Sequence, residues 1–106
     1  MSIWIVDKFT LSMINPPVNI QFSKVSREEF CEAVKDGSDA IPHQETINLI
    51  NILCHSGLNT NNIQIKAEVG DTVYIIRVPE QSENVLESYC KGEVALLKAT
   101  IYKVNE

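Results

Sequence analysis

Several features that mark specialised protein classes are missing from this sequence. Glycine occurs only four times in 106 residues and never in the spacing of a phosphate-binding loop or a dinucleotide fingerprint. No apolar run approaches the about 20 residues that a membrane-spanning helix needs, so we predict no contact with a membrane. The start lacks a basic region before its apolar residues, and Asp7 interrupts them early. It therefore does not resemble a signal peptide, and we expect a cytoplasmic protein.

Cysteine is also scarce. The sequence has an odd number of cysteines, and they are widely spaced: Cys31, Cys54 and Cys90. This pattern argues against a disulfide framework and predicts reduced, mostly buried thiols. No Cys-x-x-Cys pair is present, and His55 directly follows Cys54, so the two cannot both face one metal from the same helical turn. We expect no metal site and no cofactor.

Positive charge is in the minority, because 9 Lys and Arg stand against 14 Asp and Glu, for a net charge of −5. This balance argues against general binding of duplex nucleic acid, whose affinity depends on clustered cations. A small anionic ligand needs only one local basic pocket, which a two-fold axis would double. The chain-internal cations available for it are Lys8, Lys24, Lys66, Arg77 and Lys91.

The alternation of apolar and polar residues predicts a single α/β domain over residues 1–106, with one mixed sheet of about five strands and two main helices packed on it. The predicted strands are 3–6, 18–25, 63–69, 72–79 and 93–104. We expect the third and fourth to form a β-hairpin at Gly70-Asp71, with the fourth a central strand covered on both faces. Residues 80–91 indicate a loop with one or two helical turns.

The two helices are predicted from their end signals. Ser26 with Glu29 forms a capping box for a helix over about 27–35, which Gly37 would end in a left-handed conformation. The second helix is expected over about 42–55, with Pro42 in its first turn and its end near Gly57.

His43 is the leading candidate for chemistry. It recurs with Ile47, Ile50 and Cys54 at helical spacing, so its imidazole would cap that apolar stripe. The first turn of a helix has unpaired amides and a partial positive charge, which suit a phosphate, and histidine transfers protons near neutral pH. The alternative is structural, since a histidine at a helix start often caps amides or fills the edge of a core. His55 at the other end more simply interacts with the helix dipole.

Other polar side chains are weaker candidates for ligand contacts. Gln44 and Asn48 lie near His43 on the same helix, and Thr10 and Ser12 lie on the loop after the first strand, where hydroxyls also satisfy local backbone groups. Arg77 is alone in an apolar strand, where a buried guanidinium needs a carboxylate or an anionic ligand.

One segment resembles a known family. Ile41-Pro42-His43-Gln44-Glu45-Thr46-Ile47 is similar to the Gly-His-(two residues)-Thr segment of the small viral anti-CRISPR ring nucleases, which also occur on bacterial mobile elements. Residues 7–14, Asp-Lys-Phe-Thr-Leu-Ser-Met-Ile, resemble that family's loop Asn-Ala-Phe-Ser-Ile-Asn-Met-Leu, and residues 61–66, 70–71 and 30–31 are similar to further segments.

The resemblance implies an α/β homodimer that cleaves cyclic tetra-adenylate without a metal. In that family a ribose 2′-hydroxyl attacks the adjacent phosphorus, and the matching histidine, His43 here, protonates the leaving 5′-oxygen. Thr10 takes the position of a loop serine that would contact phosphate.

The family's Arg-Leu-(Glu or Pro)-Glu-Gly motif has no counterpart here, because residues 78–86 read Val-Pro-Glu-Gln-Ser-Glu-Asn-Val-Leu. Arg77 and either Glu80 or Glu83 are the nearest substitutes. Three hypotheses follow: a ring nuclease with His43 as general acid, a binding protein of the same fold with little or no turnover, and an interaction protein without a nucleotide ligand.

Overall fold

A computed structural model describes residues 1–80 and 84–104 of the chain. Five strands form one mixed sheet in the order β2-β5-β4-β1-β3. The strands are β1 (Ile3–Val6), β2 (Asn19–Lys24), β3 (Ser38–Asp39), β4 (Thr72–Arg77) and β5 (Ala95–Tyr102), and the helices are α1 (Arg27–Asp36), α2 (Gln44–Cys54) and α3 (Val85–Cys90), with a short 3-10 turn at Leu11–Met13. The predicted α/β fold with five strands and two main helices is confirmed. None of the described helices is long and apolar enough to cross a membrane.

The sheet is parallel on one side and antiparallel on the other. β1 lies between β3 and β4 and is parallel to both, whereas β5 pairs in antiparallel register with β4 and β2. The carboxyl ends of β1, β3 and β4 therefore meet at one edge of the sheet, which is where parallel α/β sheets place their ligand sites.

Two apolar layers cover the faces of the sheet. On one face the helices contribute Phe30, Ile47 and Ile50, which pack with Ile5 and Ile76 in a single buried cluster. On the other face the chain segments outside the helices contribute residues such as Ile14, Ile65 and Ala67 to a second cluster, which also holds Val73 and Ile101. β4 contributes to both clusters, so its prediction as a central strand covered on both faces is confirmed.

The predicted hairpin is wrong. Residues 63–69 form no strand and make only an isolated bridge between Ala67 and Ile14, because both long edges of β4 are already paired with β1 and β5. Burial follows their alternation only in part: Ile65 and Ala67 are buried and Lys66 between them is exposed, but Ile63 and Val69 are exposed as well. The remaining strand of the five-stranded sheet is instead β3, which has only two residues and is too short for a periodic sequence pattern to predict.

The residues that begin and end the two main helices agree with the prediction only in part. Ser26 caps α1 as expected, its hydroxyl accepting from the amide of Glu29 at 3.1 Å. Gly37 is extended rather than left-handed, with φ −96° and ψ 172°. It is required for space, since a Cβ there would lie 2.9 Å from both the carbonyl oxygen of Ala33 and Cγ2 of Ile3. α2 starts after Pro42 rather than at it, and His55 at φ 52°, not Gly57, is the left-handed residue that ends it.

The expectation of three reduced, mostly buried thiols is also wrong. Cys31 of α1 and Cys54 of α2 form a disulfide with their Cα atoms 5.1 Å apart, and Cys90 is exposed. An odd cysteine count excludes complete pairing but not a single bond, and the packing of α1 against α2 brings these two cysteines together.

Candidate functional site

A cavity of about 700 Å³ opens at the carboxyl ends of β1 and β4, beside the first turn of α2. Each neighbouring element contributes to its wall, because β1 ends at Val6 and β4 at Arg77, and the chain leaves both strands toward this edge. The lining residues are Asp7, Lys8, Pro42, His43, Gln44, Glu45, Thr46, Val78, Pro79, Glu80 and Val85.

His43 stands at the mouth of this cavity as the N-cap residue of α2. Its backbone is extended (φ −98°, ψ 116°), and its side chain makes no capping hydrogen bond, so it does not have the structural role of satisfying helix amides. The buried face of α2 begins after it, with Thr46 and Ile47. The imidazole is 59% exposed and can reach a ligand.

Asp7 is the residue of this candidate site that the sequence analysis did not single out. Its Oδ2 lies 2.5 Å from Nδ1 of His43, and its side chain is only 13% exposed. A signal was available, because an acid that directly follows an apolar parallel strand stands at the edge where such sheets bind ligands. The contact joins residues 36 positions apart, however, and nothing local in the sequence predicts it.

Strand pairing brings these two residues together. Trp4 and Ile5 of β1 are in register with Ser38 and Asp39 of β3, and the amide of Ala40 donates to the carbonyl of Ile5 at 2.8 Å. The segments that follow β1 and β3 then leave the sheet side by side, one toward Asp7 and the other toward His43.

Asn61 fixes the chain that leads to His43. Its side-chain amide donates to the carbonyl of Asp39 at 2.9 Å, and its backbone amide donates to the carbonyl of Ile41 at 2.9 Å. Ile41 is fully buried, so the approach to His43 is anchored two residues before the imidazole. Burial also raises the pKa of the Asp39 carboxyl on this chain.

The other predicted contact residues are divided between the cavity and its surroundings. Gln44 and Glu80 line it, and Gln44 donates to Oδ1 of Asn48 at 2.7 Å. Asn48 lines a smaller adjoining cavity of about 230 Å³ that shares Glu45 and Val85 with the first.

The remaining candidates are not among the lining residues. The hydroxyls of Thr10 and Ser12 lie 2.8 Å apart, bonded to each other. Arg77 is exposed rather than buried, so it needs no internal carboxylate, and within residues 1–80 and 84–104 it has no ion pair. Glu83 lies outside the described residues.

The charge of the cavity is mixed. Asp7, Glu45 and Glu80 contribute carboxylates, while Lys8 is the single Lys or Arg among its described lining residues. The unpaired amides of the first turn of α2 add positive potential at the same place. The positive and negative groups are not separated, because Asp7 directly precedes Lys8 and Glu45 lies in the first turn of α2.

Comparison with known proteins places the chain in a family. A family model described as STIV B116-like matches residues 3–97. The chain belongs to the STIV B116-like family. The matched range includes β1, Asp7, His43 and the whole of the cavity wall.

Two proteins that this STIV B116-like chain resembles come from viruses. The chain is 28% identical over 93 residues to the uncharacterised protein ORF116 of Acidianus filamentous virus 1, covering 78% of this chain and 80% of that protein. It also resembles the solved structure of B116 from Sulfolobus turreted icosahedral virus, with a TM-score of 0.80 and 24% identity, covering 94% of this chain and 99% of that one. At that identity the likeness shows a shared fold.

Proposed function

We propose that this protein is a metal-independent ring nuclease that binds and cleaves a cyclic oligoadenylate, cyclic tetra-adenylate above all, and so counters type III CRISPR signalling. The observation that carries the proposal is the placement of His43. A histidine with no capping role stands at the mouth of a cavity, where Lys8 and the start of α2 supply the positive potential that a phosphate needs.

The reaction needs only one proton donor at the leaving group. A ribose 2′-hydroxyl attacks the adjacent phosphorus and releases its proton to solvent, while the bond from phosphorus to the 5′-oxygen breaks. His43 transfers a proton to that oxygen, so the products are a 2′,3′-cyclic phosphate and a 5′-hydroxyl. A positioned acid of this kind contributes about 10²–10⁴-fold, and holding the hydroxyl in line with the leaving oxygen contributes more.

The same proposal includes a homodimer. β2 is an edge strand with no partner on its outer side among the described residues, and Phe22 on it is 54% exposed while stacking edge-on against Phe9 at 5.6 Å. A second copy would cover this apolar surface. β2 and β3 are the two opposite edges of the sheet, so a contact through β2 would lie away from the segment that leads from β3 to His43.

A second candidate is a binding protein of the same fold that sequesters the nucleotide with little turnover. Two features of the cavity favour it: the three carboxylates of its wall, and the absence of Arg77 from its described lining. Loss of one transition-state charge donor costs about 10²–10³-fold in other enzymes. The third alternative, a protein partner without a nucleotide ligand, has no specific support in this cavity.

One experiment separates these functions. The protein is incubated with cyclic tri-, tetra- and hexa-adenylate in the presence of a chelator, alongside His43→Ala and the matched control His55→Ala. The nuclease predicts cleavage that is lost in His43→Ala and kept in His55→Ala. Tight binding without products would indicate the sequestering protein, and neither binding nor cleavage would overturn both.

A further inference from the structure

We propose that Asp7 is the positioning residue of His43: its carboxylate holds the Nδ1 proton, so that Nε2 is the nitrogen presented to the cavity. The catalytic meaning of this pair depends on the function proposed above, whereas the pairing itself does not. When the imidazole is protonated, an aspartate at this position makes the contact ionic as well as hydrogen-bonded.

The exposures of the two side chains differ in the way that such a role requires. Asp7 is 13% exposed and His43 is 59% exposed, so a nearly buried carboxylate holds a ring that solvent and ligand can reach. An exposed imidazole without a partner would sample several rotamers. The 2.5 Å contact between Oδ2 and Nδ1 selects one of them and points the opposite edge of the ring away from Asp7.

The contact also selects the tautomer. A carboxylate can only accept a hydrogen bond, so Nδ1 must carry hydrogen whenever Asp7 is ionised at this distance. The neutral ring then has its lone pair on Nε2, and the protonated ring donates from Nε2. Proton exchange with a bound ligand is therefore confined to one atom at one position.

Strand register makes this arrangement rigid. Asp7 follows β1 by one residue and His43 follows β3 by four, and the two strands are bonded to each other as well as through Ala40 to Ile5. Neither partner is carried on a long unsupported loop. A site on regular elements holds its geometry more closely than one on loops.

Nitrogen NMR of the two imidazoles tests the pairing directly, without any ligand. At mildly alkaline pH, long-range proton–nitrogen correlation should show hydrogen on Nδ1 of His43, while exposed His55 serves as the internal reference in the same spectrum. In Asp7→Ala the His43 pattern should shift to that of His55, and in Glu45→Ala, which removes another cavity carboxylate, it should stay. Hydrogen on Nε2 of wild-type His43, or no change in Asp7→Ala, would overturn the proposal.

Kinetics then test what the pairing does. For cyclic tetra-adenylate cleavage, Asp7→Ala should lower kcat about 10-fold or more, because a misplaced acid loses much of its contribution, with KM changed less than kcat. Asp7→Asn retains an acceptor oxygen and should recover part of the rate. If Asp7→Ala moves the NMR pattern but leaves kcat unchanged, the positioning role is wrong. If the wild type cleaves no cyclic oligoadenylate, the proposed function fails, while the NMR result still decides whether Asp7 fixes His43.

Discussion

Cys31 and Cys54 join α1 to α2 through a disulfide that closes a loop of 23 residues. That loop contains β3, the buried Ile41 and His43. The whole segment that leads to the candidate site therefore lies between the two bonded cysteines. The helices it joins form one face of the core with Phe30 and Ile50. The bond therefore restrains the layer that carries α2, the helix that begins directly after His43.

Removal of this disulfide should destabilise the fold. A loop of 23 residues corresponds to about 3 kcal/mol in the chain-entropy account, so the double variant Cys31→Ser/Cys54→Ser should unfold at a clearly lower denaturant midpoint. Cys90→Ser is the matched control, because Cys90 is exposed and unbonded. Equal midpoints for the double variant and the control would contradict a stabilising role.

Glu29 should make stability depend on pH at the acid end. The hydrogen bond from Lys98, 3.0 Å away, lowers the pKa of Glu29. The contribution of this hydrogen bond to the free energy of unfolding is therefore fully present above the unfolded pKa of about 4.3 and is lost as pH falls through the lower folded pKa. The side chains are 42% and 34% exposed, which limits the effect to about 1 kcal/mol or less.

The pair of Glu29 and Lys98 should also make stability depend on pH at the alkaline end. The hydrogen bond with Glu29 raises the pKa of Lys98, so the stabilisation is present below the unfolded pKa of about 10.4 and is lost as pH rises through the folded value. Urea unfolding of wild type and Glu29→Gln across pH should show the two curves converging at both ends. A constant difference at every pH would contradict this assignment.

Asp71 should be the most important carboxylate for the fold. Burial raises the pKa of Asp71, but hydrogen bonds from the amides of Glu68 and Ser2 outweigh it and leave the pKa below its ordinary value. Its two oxygens accept those bonds at 2.9 and 2.8 Å. Asp71→Asn leaves one amide without an acceptor and should cost about 1–3 kcal/mol. Asp36→Asn, at the exposed end of α1, should change stability by less than about 0.5 kcal/mol.

The protonation of Asp71 gives a further check on that variant. Because the folded pKa is depressed, the stabilisation is present above the unfolded pKa and disappears as pH falls through the folded value. The stability difference between wild type and Asp71→Asn should therefore shrink in acid. If it grows there instead, the hydrogen bonds to the ionised carboxylate are not its source.

Gly37 and Gly57 should respond oppositely to the same substitution. Gly37→Ala places a Cβ 2.9 Å from the carbonyl oxygen of Ala33 and should destabilise by about 1–3 kcal/mol through overpacking. Gly57 has no atom within 4 Å of a built Cβ, so Gly57→Ala should leave stability unchanged or raise it by up to about 1 kcal/mol. Thermal melts of the two variants side by side test this, and equal melting temperatures would contradict it.

Lys8 should control binding of a phosphate-containing ligand if the proposed function is correct. It is the single Lys or Arg among the described residues that line the cavity, so Lys8→Ala should weaken binding of cyclic tetra-adenylate and flatten its salt dependence. Lys91→Ala is the matched control, because Lys91 pairs with Glu87 of α3. Calorimetric titration at two salt concentrations measures both effects, and equal affinities for the two variants would contradict the assignment.

The sequence by itself determined the elements whose signals are local. The capping serine of α1, the apolar face of α2, the central position of β4 and the placement of His43 at a helix start all follow from side-chain spacing within a few residues. Periodicity reports which residues are buried, but in residues 63–69 it did so only for Ile65 and Ala67, which are buried without forming a strand, while Ile63 and Val69 are exposed.

Tertiary structure alone decided which segments meet. The pairing of β1 with β3, the disulfide between Cys31 and Cys54, and the contact of Asp7 with His43 each join residues that are far apart in the chain. No local propensity encodes such contacts, because their free energy comes from packing and register fixed only when the whole sheet assembles. The histidine could be found from the sequence, but its carboxylate partner required the fold.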